Sequence, residues 1–261
     1  MRETNGCFTK NVRFEMSPDQ FYQQLASQGI SLTEMQKKQF MTYYELLVET
    51  NKVVNLTAIT AKDDVYLKHF YDSLTLAFAL PELQTEAWSL LDVGAGAGFP
   101  SIPNKIVFPQ LQVSIVDSLN KRIKFLQELA TQLDLEGVAF YHARAEDFGN
   151  KRSEHRQSYN VVTARAVASL PVLAELCLPL VEKGGYFVAM KGSKGSEELA
   201  QSAHALNILG GKLVRTVELT LPQTNDQRVI IIVKKTKETP KTYPRKPGTI
   251  TKSPLLGELL K

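Results

Sequence analysis

Three glycines alternate along this chain directly after a short apolar stretch. Residues 90–100 have the sequence Leu-Leu-Asp-Val-Gly-Ala-Gly-Ala-Gly-Phe-Pro, with the glycines at positions 94, 96 and 98. An apolar run that stops at such a cluster predicts a buried parallel strand followed by a tight turn. Glycine has no Cβ and tolerates positive φ, so the backbone of this turn can approach a bound molecule closely. We therefore expect a ligand site here; a glycine-rich loop without a ligand is the simpler alternative.

The residue at position 99 separates two kinds of nucleotide-binding loop. A dinucleotide fingerprint counted from Gly94 needs a third glycine at 99, where a pyrophosphate meets a helix N-terminus. This chain has Phe99 there, and its glycines follow the order G-x-G-x-G. The pattern resembles motif I of the class I S-adenosylmethionine (SAM) methyltransferases, whose cofactor carries no phosphate. A nicotinamide-dependent oxidoreductase on a similar fold is an alternative that Phe99 disfavours.

The composition limits the class of protein further. With 261 residues, the chain is long enough for one sizeable hydrophobic core. It has no apolar run of the roughly 18 residues that a membrane span needs. The first 15 residues lack the apolar region of a signal peptide. Cys7 and Cys177 are far apart, so neither a disulfide framework nor a zinc site is indicated. We expect a cytoplasmic protein that holds no metal.

The net charge of +4 is distributed unevenly. Eight basic and two acidic residues lie between positions 234 and 261, so this segment carries +6 and the rest of the chain −2. Four prolines also lie beyond residue 236, a composition that predicts an extended, flexible tail. A concentrated basic tail on a slightly acidic body suggests a polyanionic partner.

Hydrophobic periodicity predicts an α/β protein with a helical cap at its N-terminus. Ser17 and Pro18 form a helix start, and helices are expected near 18–28, 32–50 and 62–80. After Trp88 strands and helices alternate, which implies a doubly wound, Rossmann-like sheet of seven strands that is parallel except for an antiparallel last strand. The predicted strands are 88–93, 112–116, 138–142, 159–163, 185–190, 212–219 and 228–234, and the predicted helices 101–107, 119–134, 169–181 and 196–209. The predicted organisation is a disordered extension (1–15), the cap (16–86), the sheet domain (87–236) and the basic Pro-rich tail (237–261).

An acidic residue is expected about 20 residues after the glycine loop, where a carboxylate can bridge ribose hydroxyls. Asp117 ends the second predicted strand, 21 residues after Gly96, and Ser118 follows it. Both are predicted cofactor contacts. Asp92 is expected to orient the glycine turn and the amino group of the cofactor.

The third predicted strand ends at Ala143-Arg-Ala-Glu-Asp147. In methyltransferases the adenine is held at this point by backbone groups and an acidic side chain. The alternative is a carboxylate that caps the N-terminus of the following turn.

The end of the fourth predicted strand indicates the acceptor. Enzymes that methylate exocyclic amines resemble one another in an Asn/Asp-Pro-Pro-Tyr/Phe motif, but this chain has Ala164-Arg-Ala166 instead. Methylation at base C5 needs a cysteine nucleophile nearby, and Cys177 lies on an apolar stretch typical of a core. A ring nitrogen or a hydroxyl therefore remains as the target. Arg165 is expected where substrate and cofactor meet, with a structural salt bridge as the alternative.

Several basic residues are candidates for contact with RNA phosphates, with a solvated surface as the alternative for each group. They are Lys121 and Arg122 on the helix after Asp117, Lys191 and Lys194 in a glycine-containing loop, and Arg245 and Lys246 in the tail. His69 either reaches the cleft or is a core histidine.

Taken together, residues 92–100, 116–122 and 164–168 are very similar to the ribosomal RNA small subunit methyltransferase G family, also called glucose-inhibited division protein B. Residues 55–57, 69–73, 191–192 and 243–248 support the resemblance, and the tail is similar to that of Gram-positive members. The resemblance implies transfer of a methyl group from SAM, with S-adenosylhomocysteine (SAH) as product, to N7 of one guanosine in the decoding-region loop of 16S ribosomal RNA. It also implies cofactor contacts at Gly94, Phe99, Ala145, Glu146 and Arg165.

The expected partner is 16S ribosomal RNA or the small ribosomal subunit, and a monomer is expected. A noncatalytic SAM-binding factor in ribosome assembly is the alternative from another class. Ser101 and Asn104 depart from the Gly and Leu that are commoner in the family. Because both lie past the glycine loop, we expect them to affect helix packing rather than cofactor binding.

Overall fold

The computed structural model describes residues 16–257, in which a seven-stranded sheet carries helices on both faces. The strands are β1 (Ser89–Val93), β2 (Gln112–Asp117), β3 (Val138–His142), β4 (Tyr159–Arg165), β5 (Val181–Lys191), β6 (Gly211–Thr220) and β7 (Gln227–Lys235). Their order in the sheet is β3-β2-β1-β4-β5-β7-β6. Strands β1 to β5 pair in parallel, and β7 runs antiparallel to both of its neighbours. The predicted fold class, including the antiparallel last strand, is confirmed.

The chain reverses its winding direction between β1 and β4, which are neighbours in the sheet. In doubly wound sheets ligands bind in the crevice at the carboxyl ends of the strands at such a switch point. The glycine loop follows β1 and Arg165 ends β4, so both lie at this crevice.

The helices form the cap and the crossovers between strands. The cap comprises α1 (Pro18–Ser27), α2 (Glu34–Val54), α3 (Lys62–Val65), a π-helical turn (Tyr66–Tyr71), α4 (Asp72–Ala79) and a 3₁₀ turn (Pro81–Gln84). The remaining helices are α5 (Ser101–Val107), α6 (Asn120–Gln132), α7 (Ala145–Phe148), α8 (Leu170–Cys177), α9 (Gly195–Ala200), α10 (Ala203–Ile208) and α11 (Thr249–Lys252).

Two sequence predictions for the helices need adjustment. The predicted helix 62–80 is continuous but contains the π-helical turn, which carries His69. The predicted helix 196–209 is broken into α9 and α10 at Ser202, whose hydroxyl donates to the carbonyl of Glu198 at 2.6 Å. A serine that bonds its own preceding turn competes with the helical backbone pattern. Ser17, in contrast, caps α1 as predicted, within a reciprocal capping box with Gln20.

Two hydrophobic clusters cover the two faces of the sheet. The cap, α5 and α6 pack on one face, around the fully buried rings of Phe21, Phe40 and Phe70. Helices α7, α8, α10 and α11 pack on the other. Each buried aromatic ring contributes about 1.5–3 kcal/mol of apolar transfer free energy. Because cap and sheet share one cluster, the cap is fixed relative to the strand ends.

The C-terminal segment 237–257 is packed against the second face, so the predicted flexible tail is wrong for these residues. Thr239 and Ile250 are 3% and 1% exposed. Tyr243 and Leu255 pack against the same cluster. The prolines of this segment disfavour helix and strand but leave an extended backbone that can follow the surface. The predictions for residues 1–15, Cys7 and the last four residues lie outside the described part of the chain.

None of the helices between residues 16 and 257 has the length and apolar character needed to span a bilayer.

Candidate active site

The glycine loop adopts left-handed backbone conformations at all three glycines. Their φ values are +74° at Gly94, +60° at Gly96 and +99° at Gly98. A Cβ on Gly98 would lie 2.8 Å from the hydroxyl of Tyr43, so both conformation and packing require glycine there. A Cβ on Gly96 would meet nothing within 4 Å. The backbone at Gly96 therefore borders open space, as the sequence predicted for a ligand-binding turn.

Asp117 holds this loop from the end of the neighbouring strand β2. Its Oδ2 accepts from the backbone N–H of Gly96 at 3.3 Å and from Arg122 Nη1 at 3.2 Å, and its Oδ1 accepts from Leu119 N at 2.9 Å. The predicted proximity of Asp117 and the glycine loop is thus confirmed. The contact of Asp117 with a ribose stays a prediction.

A cavity of about 290 Å³ opens beside these residues. Its walls come from the carboxyl ends of β1 and β2 and from the segments after β3 and β4. It brings together five of the predicted cofactor contacts, Gly94, Asp117, Ser118, Ala145 and Glu146, and also Val93, Val116, Arg122, Ala143, Arg144, Ala166, Val167 and Leu176.

The segment after β3 does not place a carboxylate at a helix cap. Glu146 lies in the first turn of α7, and the capping position is Arg144, whose side chain makes no capping bond. The alternative explanation for this acidic segment is therefore wrong. Glu146 instead borders the cavity, at the predicted position of the adenine.

Asp92 is fully buried behind the glycine loop. Its Oδ2 accepts from the backbone N–H of Ser101 at 3.1 Å, whereas Oδ1 has no hydrogen-bond partner among residues 16–257. Removal from solvent raises the pKa of this carboxyl from 3.8 to about 7. A buried carboxylate oxygen without a partner is the kind of group that a bound ligand can satisfy.

Ala166 borders both this cavity and a second one of about 300 Å³. The backbone of Ala166 has φ +58°, which an alanine rarely adopts. Four cations and one carboxylate are among the residues that line the second cavity, which are Lys68, His69, Asp72, Arg165, Ala166, Met190, Lys191, Gly192 and Arg228.

The carboxylate of Asp72 lies between two guanidinium groups of this second cavity. Its Oδ2 accepts from Arg165 Nη1 at 3.0 Å, and its Oδ1 accepts from Arg228 Nε at 2.9 Å. Asp72 is 4% exposed. Neither Asp72 nor Arg228 is among the functional residues predicted from the sequence. The available signal was a carboxylate placed directly before the apolar turns of α4, where an unpaired charge would be costly.

His69 forms part of the wall between the cap and this cavity. Its ring stacks on Phe99 at a centroid distance of 4.5 Å. Nε2 lies 2.8 Å from Thr57 Oγ1, and Nδ1 lies 3.2 Å from the carbonyl oxygen of Lys68. Burial, together with the charge of Arg165, lowers the pKa of His69 to about 3. The imidazole is therefore neutral, and both of its nitrogens are engaged.

Phe99 does not line either cavity. Its ring lies between the rings of His69 and Tyr43, with the guanidinium carbon of Arg165 5.3 Å from its centroid. The predicted contact of Phe99 with the cofactor thus has no support from the cavity walls. Phe99 instead packs against His69, Tyr43 and Arg165 and supports their positions.

Cys177 is buried in α8, and burial raises the pKa of its thiol, so it is unsuited to act as a nucleophile. Within residues 16–257, no group of three or more His, Cys, Asp or Glu side chains is arranged to hold a metal ion.

The six basic residues predicted to contact RNA fall into two groups. Lys121, Lys194 and Lys246 are exposed. The other three are engaged in ion pairs, Arg122 with Asp117, Lys191 with Glu198 and Arg245 with Glu175. Each of these three side chains is held by a carboxylate, and the contact of all six residues with RNA stays a prediction.

Solved structures share the fold at low sequence identity. A point mutant of MtNAS, solved in complex with S-adenosylmethionine, aligns with a TM-score of 0.52 and 13% identity, over 84% of this chain and 78% of that chain. The same mutant in a second structure gives a TM-score of 0.51. At such identities the likeness shows the fold alone.

Relatives in sequence are much closer. A protein of Ligilactobacillus salivarius named ribosomal RNA small subunit methyltransferase G is 62% identical over 240 residues, which is 92% of this chain and 100% of the relative. A protein of the same name from Staphylococcus carnosus is 56% identical over 92% of this chain and 100% of its own length. The model of the GidB family, described as rRNA small subunit methyltransferase G, matches residues 36–229. The chain therefore belongs to the rRNA small subunit methyltransferase G family.

Proposed function

We propose that this chain transfers the methyl group of SAM to N7 of a guanosine in the decoding-region loop of 16S ribosomal RNA. The observation that carries the proposal is the meeting of two chemically different cavities at Ala166, next to Arg165. Membership in the rRNA small subunit methyltransferase G family supports the donor and the class of acceptor. In a bacterium, such a protein acts in the cytoplasm, where ribosomes are made. We propose that it acts as a monomer.

The residues around the first cavity fit SAM. The carboxylate of Asp117 and the hydroxyl of Ser118 suit the ribose, and Glu146 with the backbone at Ala145 suits the adenine. The backbone of Gly94 and Gly96 permits close approach. Asp92 does not line the cavity, and it supports the turn from behind through its bond with the backbone N–H of Ser101. When bound, SAM supplies an electrophilic methyl group on a positively charged sulfur.

The second cavity fits an acceptor that needs no proton removed. His69 is neutral, and both ring nitrogens face existing partners. Both oxygens of Asp72 accept from arginines. No other carboxylate or imidazole lines this cavity within the described residues. Guanine N7 carries a free lone pair in the ring plane, so attack can proceed without a general base. These residues then act by orienting the base and excluding water.

Arg165 is the residue we propose to position substrate and cofactor. It ends β4 at the boundary of the two cavities and is held by Asp72 and by the carbonyl of Lys68. The cationic side chains around it attract the phosphate backbone of a nucleic acid. Contacts between these side chains and the phosphates position the target base but take no part in the transfer of the methyl group.

The decisive experiment maps methylated nucleotides. Small ribosomal subunits from a strain that lacks this family of enzymes are incubated with the purified full chain and labelled SAM, and digested RNA is analysed by mass spectrometry. We expect one labelled 7-methylguanosine in the decoding-region fragment. Arg165→Ala serves as the matched control and should leave the fragment unlabelled. Binding of SAH without any transfer would instead identify a noncatalytic assembly factor.

A further inference from the structure

The C-terminal segment 237–257 packs against α8 and is joined to α7 through Arg156, and both helices border the cofactor cavity. It runs along the second face of the sheet, where Thr239 and Ile250 are buried and α11 packs against α8. Helix α8 contributes Leu176 to the cavity wall. Helix α7 contributes Ala145 and Glu146. The segment therefore lies behind the wall rather than in solvent.

Arg156 joins the segment to the end of α7. Its Nη2 donates to the carbonyl of Thr239 at 2.8 Å, and its Nη1 donates to the carbonyl of Tyr243 at 2.9 Å. The same Nη1 donates at 2.9 Å to the carbonyl of Gly149, the residue that ends α7. A guanidinium presents five N–H groups in one rigid plane, so a single side chain fixes the segment and the helix end together.

Glu175 joins the segment to α8. It is completely buried, and its two oxygens accept from Arg245 Nε at 2.9 and 3.1 Å and from Arg245 Nη2 at 2.6 Å. The backbone N–H of Arg245 also donates to it at 2.8 Å. The residue after Glu175 is Leu176 of the cavity wall. A bidentate pair of this kind defines orientation as well as distance.

Helix α7 needs such external support. It has only four residues, and a single helical turn is not stable by itself. Its position, and that of Ala145 and Glu146, must therefore come from tertiary contacts. The bond from Arg156 to Gly149 is one of these contacts, and the segment fixes Arg156.

We propose that residues 237–257 are a C-terminal strap that positions α7 and α8 and thereby sets the affinity of the first cavity for SAM and SAH. Arg156, Glu175 and Arg245 are positioning residues in this proposal, and none of them touches the cavity. The proposal rests on the assignment of that cavity to the cofactor. It gives the inner face of the segment a function separate from the exposed lysines of its outer face, Lys241, Lys246 and Lys252.

The test compares Arg245→Gln, Glu175→Gln and the double variant in the full chain, with Lys241→Gln as the control that removes an exposed charge of the same segment. Titration calorimetry gives the affinity for SAH, and hydrogen exchange of the protein alone reports on residues 145–149 and 170–177. Arg245→Gln leaves a buried carboxylate unpaired and should weaken SAH binding roughly three- to thirtyfold. The double variant, whose two amides can pair, should recover part of that loss. Lys241→Gln should bind SAH like the original protein.

The steady-state kinetics separate positioning from stability and from RNA binding. We expect KM for SAM to rise in Arg245→Gln, while KM for the ribosomal substrate and kcat at saturating SAM remain close to those of the original protein. Arg156→Lys is the milder second variant if Arg245→Gln does not fold. It should accelerate exchange at 145–149, because an ammonium cannot bridge the same carbonyls in the same plane.

Two outcomes would overturn the strap. One is unchanged SAH affinity and unchanged exchange at 145–149 in folded variants. The other is a raised KM for the ribosomal substrate alone, which would make the segment an RNA contact. A different result would contradict the proposed function itself: the original protein would bind no SAH. The exchange comparison then still decides whether the segment orders α7.

Discussion

Asp72 and Arg165 connect the helical cap to the end of β4 through a bond of 3.0 Å between Oδ2 and Nη1. The two residues are 93 positions apart in sequence. Asp72 is buried and Arg165 is 15% exposed, and Arg228 of β7 binds the other carboxylate oxygen. The orientation of Arg165 at the boundary between the two cavities thus depends on a residue of the cap.

Replacement of Asp72 tests that dependence. Asp72→Asn keeps the shape but removes the charge between two guanidinium groups, so Arg165 loses its fixed orientation. We expect single-turnover methyl transfer to fall by roughly 10- to 100-fold, since small displacements of a positioning group have effects of this size. Asp64→Asn, which removes the partly exposed pair with Lys68, is the control. If a folded Asp72→Asn variant transferred methyl groups at the rate of the original protein, the function of Arg165 would not depend on Asp72.

Arg165 itself can be tested with the fold held constant. Arg165→Ala should abolish methyl transfer while circular dichroism and SAH binding show a folded protein, because its guanidinium contributes to the second cavity rather than to either hydrophobic cluster. The exposed Arg152→Ala variant controls for the loss of one positive charge. Near-original turnover in Arg165→Ala would refute the positioning role.

The methyl-transfer step should not depend on a titrating side chain. The pKa of His69 is lowered to about 3, so this residue stays neutral between pH 6 and 9. In the Asp92→Asn background, which removes the titration of that buried carboxyl near pH 7, single-turnover rates at saturating SAM and RNA should therefore be flat across that range. A bell-shaped profile that one substitution abolishes would reveal an essential acid or base and would contradict N7 as the acceptor.

Asp92 makes stability depend on pH. Its pKa is about 7 in the folded protein and 3.8 as a free side chain, so the folded state holds the proton more tightly. Its contribution to stability is complete below pH 4 and declines as the pH rises through 7. Asp92→Asn removes this decline. The free energy of unfolding is measured with urea at pH 5 and at pH 8. Between these pH values, the difference between the variant and the original protein should shift by about 2–3 kcal/mol in favour of the variant.

The control for this measurement is Asp134→Asn, which alters an exposed carboxylate. It should show no such change between the two pH values. Parallel stability curves for Asp92→Asn and the original protein would place the titration of Asp92 outside this range.

The exposed lysines at the carboxyl edge of the sheet should supply phosphate contacts. Lys121 follows β2 and Lys194 follows β5, and both are exposed. In the double alanine variant, the slope of log K for RNA binding against log salt should decrease by roughly one to two, as expected for two lost contacts. Lys183 and Lys212 lie near the opposite edge, and their double alanine variant removes the same charge. Equal slopes for the two variants would show a nonspecific effect of net charge.

The sequence predicted the sheet and the cofactor side of the site because their signals are local. Most of the strands are apolar runs bounded by glycines or polar residues, and the glycine loop and Asp117 lie at the ends of consecutive strands. The break at Ser202 was missed because a single side-chain bond to Glu198 outweighs an otherwise helical pattern. The tail was misjudged because its prolines and lysines resemble those of a disordered segment, while the partners that hold it, Arg156 and Glu175, lie far away in the chain.

The fold class and the family follow from the amino-acid sequence alone, and so does the glycine loop that we propose for the methyl donor. The way in which Arg165 is held at the second cavity follows only from the packing of the folded chain. Asp72 meets Arg165 across 93 residues and Arg228 across 156, and no local pattern encodes either distance. Charges are solvated independently in an extended chain. Folding removes that water, and a buried carboxylate then requires the guanidinium groups that packing brings to it.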